Sequence, residues 1–165
     1  MKLLTPVLIA VLATLSSAAT ISPQLYIQSQ SPHTTSTDLI NVCGNGNDLL
    51  TVKDITLTPD PPQKGQNLTI DFKGKLKEEV PEGTSVLVQV KYGVVQLIKK
   101  KFDFCEEVKK VDEECPIPAG DLVFTKQVGL PKEIPPGHYS VHAVVTTPDG
   151  AQVTCLDGKM SFPRK

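Results

Sequence analysis

Four cysteines and three histidines are the residues of this 165-residue chain that most often bind metals or act as nucleophiles. Neither Cys105 nor Cys115 has a second cysteine or a histidine two to four residues away, as the common structural zinc sites require. His138 and His142 are four residues apart on a predicted strand, which separates them by about 13 Å. The spacing of these residues therefore predicts no metal site.

Sequence motifs for hydrolysis or phosphate transfer are missing. The chain contains no GxSxG, no HExxH and no glycine-rich phosphate-binding loop. We therefore expect no catalytic residue, no cofactor and no enzymatic activity. His138 and His142 are interpreted as surface residues, with a pH-sensing role in an acidic lumen as the alternative.

The cysteines are better explained as disulfides. Cys105 and Cys115 flank a segment in which seven of nine residues are charged, and we expect such a loop to have no apolar side chains with which to fix itself. A disulfide at its base would contribute about 3 kcal/mol on the entropic model. Cys43 precedes the first predicted strand and Cys155 lies in the last hairpin. Of the three possible pairings we predict Cys43 with Cys155 and Cys105 with Cys115, which requires an oxidising compartment.

The N-terminus supplies a route to such a compartment. Lys2, an apolar run and the small residues 16–19 follow one another in the pattern of a secretory signal peptide. We predict that residues 1–18 are a removed signal peptide, that 19–38 are a flexible leader or propeptide rich in Ser, Thr and Gln, and that 39–165 form one domain. The apolar run is short for a membrane span of about 20 residues. The mature chain is therefore expected in the secretory pathway, either outside the cell or in a vacuole lumen.

The charge balance gives no sign of a nucleic-acid partner. The predicted signal peptide holds one of the 17 basic residues and none of the 18 acidic ones, so the mature chain has a net charge of −2. Nucleic-acid-binding domains usually carry a basic excess. The run Lys99, Lys100 and Lys101 could contact anionic headgroups, but a solvated strand end is the simpler interpretation. The sequon at Asn67 predicts N-glycosylation in a secreted chain.

Alternation of apolar and polar residues dominates the chain after the leader, and no long helical period occurs. Turn residues such as Gly93, the proline-rich stretch after residue 58 and a PDG sequence separate the alternating segments. The predicted strands lie within residues 49–59, 66–74, 84–93, 94–105, 121–130 and 138–162, the last of these a hairpin. This spacing predicts an all-β, immunoglobulin-like, two-sheet antiparallel β-sandwich.

The predicted core is poor in aromatic residues. The chain has no tryptophan and 5% aromatic residues, whereas sandwiches of this size commonly place a tryptophan or several phenylalanines between the sheets. Either the core is small and closed, or the interior is hollow and receives an apolar guest. Composition alone favours the closed core.

Several fragments together carry a resemblance to a known family. CGNGND, VKYGVVQL, FDFCEEV, LPKEIPPGHYSV and DGAQVTCLDG occur in the order, and with the cysteine frame, of the ML lipid-recognition family, which the chain resembles over about residues 43–162. Within this family it is most similar to the fungal phosphatidylglycerol/phosphatidylinositol transfer proteins and more distantly similar to the Niemann-Pick type C lysosomal sterol carrier. The extra disulfide of the sterol carrier is absent here, which favours the phospholipid branch.

The resemblance implies a sandwich with an internal lipid cavity, whose sheets separate to hold one lipid, and it implies the same two disulfides. The expected function is soluble lipid binding and transfer between membranes, with phosphatidylglycerol and phosphatidylinositol as ligands. We expect a monomer that contacts membrane surfaces transiently. A sterol carrier of the same family is one alternative. A secreted immunoglobulin-like adhesion or recognition module with a closed core is another.

Carried over by position, the resemblance also predicts the lipid-binding residues. Leu97 and Ile98 would border the cavity mouth on one lip, and Leu130, Ile134 and Pro135 on the other, with the loop between the middle cysteines holding that rim in shape. The predicted walls are Phe72, Val88, Val90, Tyr92, Phe102, Phe104, Phe124, Tyr139, Val141 and Val145. Each wall residue would serve equally well in a closed core.

Overall fold

The structure is a computed structural model that describes residues 36–164, so the expected signal peptide and most of the expected leader lie outside the described part of the chain. The strands are β1 Ile40–Val42, β2 Leu50–Thr58, β3 Asn67–Leu76, β4 Ser85–Tyr92, β5 Val95–Asp103, β6 Gly120–Gly129, β7 Gly137–Thr146 and β8 Gln152–Phe162. They form a five-stranded sheet in the order β1-β8-β7-β4-β5 and a three-stranded sheet in the order β2-β3-β6. All neighbouring strands are antiparallel. The predicted all-β, two-sheet fold is confirmed. Among the described residues, no helix is long and apolar enough to cross a membrane.

The imperfect alternation of β2 has a structural cause. Its pairing with β3 shifts between Val52 and Asp54, which marks a β-bulge. Leu50 and Val52 before the bulge and Ile55 and Leu57 after it are therefore all buried in the core. A single extra residue shifts the alternation of apolar and polar residues by one position, yet the same face of the strand remains buried.

The charged segment between the middle cysteines begins as a helix, whereas the sequence predicted a loop. Helix α1 spans Phe104–Val108 and a 3-10 turn follows over Lys109–Val111. Asp103 caps α1 by accepting hydrogen bonds from two backbone N–H groups of its first turn. Val108 is buried and joins the hydrophobic core. The expectation that this segment lacks an apolar side chain to fix it was therefore wrong.

One side of the sandwich is tied together. Cys43, between β1 and β2, is bonded to Cys155 on β8, with Cα atoms 4.9 Å apart. The backbone N–H of Leu49 donates to the carbonyl of Gln152 at 3.0 Å, so the start of β2 is also held against β8. The disulfide extends the pairing of β1 with β8 inside the five-stranded sheet, whereas the Leu49–Gln152 hydrogen bond joins the edge of the three-stranded sheet to β8.

The opposite side of the sandwich is different, because the edge strands β5 and β6 do not pair with each other. Helix α1 lies at one end of this gap and is joined to the segment before β6 by the Cys105–Cys115 disulfide. Both disulfides are the pairs predicted from the positions of the cysteines.

The hydrophobic core is mostly aliphatic and lies against the three-stranded sheet. Eight of the thirteen residues in the buried apolar cluster come from β2, β3 and β6, whereas the five-stranded sheet contributes Val145 and Val153. The full cluster is Leu50, Val52, Ile55, Leu57, Leu68, Phe72, Leu76, Val80, Val108, Ile117, Leu122, Val145 and Val153. The larger sheet is therefore the less completely covered of the two.

Candidate functional site

The centre of the five-stranded sheet is incompletely covered. Strand β4 is hydrogen-bonded on both sides, to β5 and to β7, yet no residue in it is fully buried. Its inward positions are held by Val86, Val88 and Val90, and an interior strand of a closed sandwich would bury such valines. The half-buried state of this strand indicates an open space between the two sheets.

An apolar cleft of about 310 Å³ occupies this space. It extends from β4 and β5 across to β6, with α1 and the turn after it as one end wall. The lining residues are Val86, Val88, Phe102, Phe104, Glu107, Val108, Val111, Phe124 and Lys126. Ligand pockets in proteins commonly measure about 300–1,000 Å³, so this cleft lies at the lower end of that range.

Two stacked aromatic rings form the wall of the cleft on the side of the smaller sheet. The rings of Phe72 and Phe124 lie 4.9 Å apart between centroids and are inclined by 13°. Phe72 is buried and belongs to the core, whereas Phe124 is half-buried and faces the cleft. The deeper ring thus supports the one that a ligand would touch.

The mouth of the cleft is charged. Glu107 accepts a hydrogen bond from Lys110 at 2.7 Å and lies 3.7 Å from the Lys126 ammonium on β6. The hydrogen bond from Lys110 lowers the pKa of the Glu107 carboxyl, and the positive charges of Lys110 and Lys126 lower it further. On the facing edge, the Lys100 ammonium lies 4.9 Å from the centroid of the Phe102 ring. Cationic groups therefore flank both edges of an apolar cleft.

Exposed apolar residues surround the turn between β4 and β5. Val94 is 97% exposed, and Val95, Leu97 and Ile98 are each about half exposed. Such a group is uncommon on the surface of a soluble protein unless it contacts a partner or a membrane. Gly93, with φ of +54°, provides the left-handed residue that this tight turn requires.

A comparison with protein families finds a match over nearly all of the described residues. The model of the ML domain matches residues 38–162. The chain belongs to the ML domain family.

Fungal relatives of this ML domain protein are similar over about two thirds or more of the chain. It is 51% identical over 109 residues to a phosphatidylglycerol/phosphatidylinositol transfer protein of Aspergillus fumigatus, a match that covers 66% of this chain and 62% of that relative. It is 49% identical over 118 residues to a protein of the same name from Neurospora crassa, with 72% and 67% covered. The chain thus spans about two thirds of the length of these relatives.

A solved structure shows the same fold at low sequence identity. The crystal structure of a Niemann-Pick type C2 protein from the Japanese carpenter ant superposes with a TM-score of 0.54 at 14% identity, covering 75% of this chain and 98% of that one. At this identity the likeness concerns the sandwich fold alone.

The ML domain cleft brings together four of the predicted wall residues, namely Val88, Phe102, Phe104 and Phe124. Val90 and Val141 are paired across β4 and β7 and continue the same face of the sheet beyond the cleft. Phe72 and Val145 are buried in the core, and Leu130 packs against it. The role of each of these residues in binding lipid stays a prediction.

Two predicted wall residues, Tyr92 and Tyr139, lie beyond the cleft at the end of the sandwich. Their rings are 5.1 Å apart, and each hydroxyl donates a hydrogen bond to the loop before β7, to the carbonyls of Pro136 and Pro135 respectively. Loss of hydration raises the pKa of the Tyr139 hydroxyl, which stays neutral and able to donate. The tyrosines thus hold the loop that carries the predicted second lip, including the half-buried Ile134.

The hairpin that carries the first predicted lip is joined to the start of β7, and the middle disulfide lies beyond the other end of β5. The tip of the β4–β5 hairpin meets the start of β7 through a hydrogen bond from the Gly93 N–H to the His138 carbonyl. Cys105 lies beyond the other end of β5. An extended strand of nine residues, such as β5, is about 27 Å long from its first to its last Cα atom. The Cys105–Cys115 segment forms a wall of the cleft through Val108 and Val111, and its expected role in shaping the rim stays a prediction.

Five residues that line the cleft were not predicted from the sequence: Val86, Glu107, Val108, Val111 and Lys126. A signal for two of them was present. Val108 and Val111 are three residues apart after an aspartate at a capping position, which is the pattern of a short helix with one apolar side.

One cluster of potential metal ligands occurs in the described residues. Ligand atoms of Cys43, His142 and Cys155 lie within 4.8 Å of one another. Both sulfurs are bonded to each other in a disulfide, whereas cysteine binds zinc as a thiolate. The His142 ring is engaged by Asp157, with Nδ1 and Oδ1 2.6 Å apart. This arrangement is that of a disulfide beside a polar surface pair.

Proposed function

We propose that this protein binds one phospholipid in the cleft between its sheets and transfers it between membranes, with phosphatidylglycerol and phosphatidylinositol as ligands. The observation that carries the proposal is the incompletely buried central strand β4, which leaves an apolar cleft of about 310 Å³. The relative from Aspergillus fumigatus, 51% identical, is named as a transfer protein for these two lipids.

Loading a two-chain phospholipid requires the cleft to widen, because its volume is at the lower end for ligand pockets. The edges β5 and β6 can separate without breaking strand pairing, since they are not hydrogen-bonded to each other. The Glu107–Lys126 pair spans the gap at 3.7 Å, and a partly exposed pair contributes about 0–1 kcal/mol. Burial of each methylene contributes about 0.8 kcal/mol. One or two methylenes therefore offset the loss of this pair.

Release of the lipid follows from the same physical chemistry. A recipient bilayer offers acyl chains an environment as apolar as the cleft, so transfer between the two runs near equilibrium. The exposed valines of the β4–β5 turn would touch the bilayer during this exchange, next to the lip that contains Leu97. Transient contact with a membrane is therefore part of the proposal, with the protein acting as a monomer.

The competing function is a secreted adhesion or recognition module that uses its outer surface. Such a module needs a closed core, in which the inward valines of β4 would be buried by the opposite sheet. Their half-buried state favours the carrier.

A cleft-filling substitution tests the proposal. Val88 faces the cleft and Gln89 faces outward on the same strand, so Val88→Trp should block lipid uptake whereas Gln89→Trp should leave it unchanged. Lipid would be measured by native mass spectrometry and by extraction of the protein purified from a fungal host, beside thermal melting. We expect about one phospholipid per wild-type protein and almost none on the Val88→Trp variant. A co-purified sterol would refute the phospholipid assignment, and a wild-type protein that takes up no lipid would favour the adhesion module.

The two disulfides support maturation in the secretory pathway, because such bonds persist in oxidising compartments. We propose that residues 1–18 are removed as a signal peptide, that 19–38 form a leader or propeptide, and that the mature protein functions outside the cell or in a vacuole lumen. Mass spectrometry of the mature N-terminus would test the cleavage positions.

A further inference from the structure

Two lysines occupy positions where the strand pattern places apolar residues facing the cleft. On β6, Leu122 and Phe124 face inward, and Lys126 is the next residue with the same parity. On β5, Lys100 is paired with the cleft residue Val88 and precedes Phe102, another cleft residue, by two positions. Both lysines thus lie on the inner faces of edge strands, one on each side of the gap.

Lys126 is held only loosely by its carboxylate neighbour. The distance between the Lys126 ammonium and Glu107 is 3.7 Å, beyond hydrogen-bonding length, whereas Glu107 is bound by Lys110 at 2.7 Å. Most of the hydrogen-bonding capacity of the Lys126 ammonium is therefore available at the mouth of the cleft. An incoming anion could bind Lys126 while Glu107 kept its hydrogen bond from Lys110 in the 3-10 turn after α1.

Lys100 has an aromatic ring as its neighbour and, among the described residues, no carboxylate within 4.0 Å. A lysine over the face of Phe102 retains its full charge and its three donors. The neighbouring Lys99 and Lys101 have the opposite parity on β5 and point away from the cleft. Of the three consecutive lysines, Lys100 alone shares the face of the cleft residues.

We propose that Lys100 and Lys126 together bind the phosphate of an anionic glycerophospholipid whose acyl chain occupies the cleft. This inference rests on the proposed function and adds the residues that select the headgroup. A phosphate diester carries one negative charge, and two ammonium groups on opposite edges can bind it through charge-assisted hydrogen bonds. A zwitterionic lipid has the same phosphate but adds a cationic amine, which these lysines repel. The site therefore favours phosphatidylglycerol or phosphatidylinositol over phosphatidylcholine.

Binding of soluble, monomeric dihexanoyl lipids tests the inference without a charged membrane surface. Calorimetry would compare dihexanoyl phosphatidylglycerol with dihexanoyl phosphatidylcholine on delipidated protein. We expect Lys100→Gln and Lys126→Gln each to weaken phosphatidylglycerol binding by about tenfold. Phosphatidylcholine binding should change by less than about twofold, because its net charge is zero. The matched controls are Lys99→Gln and Lys101→Gln, each of which removes one positive charge from the outer face of β5.

Two further experiments test the role of the positive charge at Lys126 and the identity of the ligand. Lys126→Arg should retain the preference for phosphatidylglycerol, since it keeps the cation at the same position. Millimolar inorganic phosphate should fail to displace dihexanoyl phosphatidylglycerol, because the free ion buries no acyl chain. Displacement by inorganic phosphate would identify a site for the free anion and overturn the lipid assignment.

The outcomes separate this inference from the proposed function. If wild-type protein binds both lipids but the Lys100 and Lys126 variants keep the same headgroup preference, the lysine site is refuted and the carrier function stands. Equal losses in the Lys99 and Lys101 controls would show a general charge effect and also refute the site. If wild-type protein binds neither lipid, the carrier function and the lysine site both fall.

Discussion

Replacement of Val94 by aspartate should detach the protein from lipid vesicles without unfolding it. Val94 is 97% exposed at the tip of the β4–β5 hairpin and is followed by three further exposed apolar side chains, those of Val95, Leu97 and Ile98. None of the residues that the structure describes covers this group, whereas the interface of a bilayer would. The hairpin tip is thus the surface that we expect to enter the membrane first.

The magnitude follows from the area that Val94 can bury. Complete burial of a valine side chain contributes about 1.5–3 kcal/mol, and Val94→Asp forfeits this contribution because aspartate stays hydrated. Repulsion of the new charge by an anionic leaflet adds about 1 kcal/mol at low salt. The loss of burial alone corresponds to a roughly 10- to 150-fold weaker partitioning. Folding stability should be unaffected, since the turn residue contacts solvent and aspartate is well tolerated in turns.

The assay is co-sedimentation with vesicles of phosphatidylglycerol and phosphatidylcholine, beside thermal melting. Val123→Asp is the matched control, because Val123 is also an exposed valine, 61% accessible, but lies on the outer face of β6. The control should sediment like the parent. Equal binding of the two variants, with both folded, would refute the assignment of the hairpin tip as the membrane surface.

Two further predictions concern covalent structure. Replacing Cys105 and Cys115 together by serine should lower the free energy of unfolding by about 2–3 kcal/mol, measured by denaturant melts, because the entropic cost of closing this short loop returns. The same change should speed lipid exchange between vesicles, because α1 is a wall of the cleft. An unchanged exchange rate would argue against α1 as a movable wall. Asn67 is exposed at the start of β3 and should carry a glycan in a eukaryotic host, seen as a mass decrease on glycosidase treatment; an unshifted mass would contradict this.

Strand positions could be predicted from the sequence because alternation with a period of two is a local property. In β3, Leu68, Ile70 and Phe72 alternate with polar residues, and all three face the opposite sheet in the structure. In β2 the bulge obscured this alternation. One extra residue after Val52 moves the buried apolar residues from even-numbered to odd-numbered positions. The three-residue strand β1 was not predicted, since a segment this short carries almost no periodic signal.

The cleft could not be predicted from residue types, because it depends on what lies across from each strand. Val88 and Val145 are both valines on inward-facing strand positions, yet Val145 is buried in the core and Val88 lines the cleft. The distinction comes from how the two sheets are spaced, which is a property of the whole fold. Lys126 could have been recognised from the sequence, because it occupies the next inward-facing position of β6 after Phe124, where an apolar residue is expected.

The unequal distribution of the core explains how the molecule could open without unfolding. Most buried residues lie against the three-stranded sheet, and the Leu49–Gln152 hydrogen bond joins the start of β2 to β8 on the side away from the cleft. Separation of β5 from β6 would therefore leave both the core and the larger sheet's hydrogen bonds in place. The cost falls mainly on contacts of α1 and on the Glu107–Lys126 pair. Because few of the contacts that stabilise the fold lie in this gap, a domain built this way can vary its cleft width while its free energy of unfolding stays nearly constant.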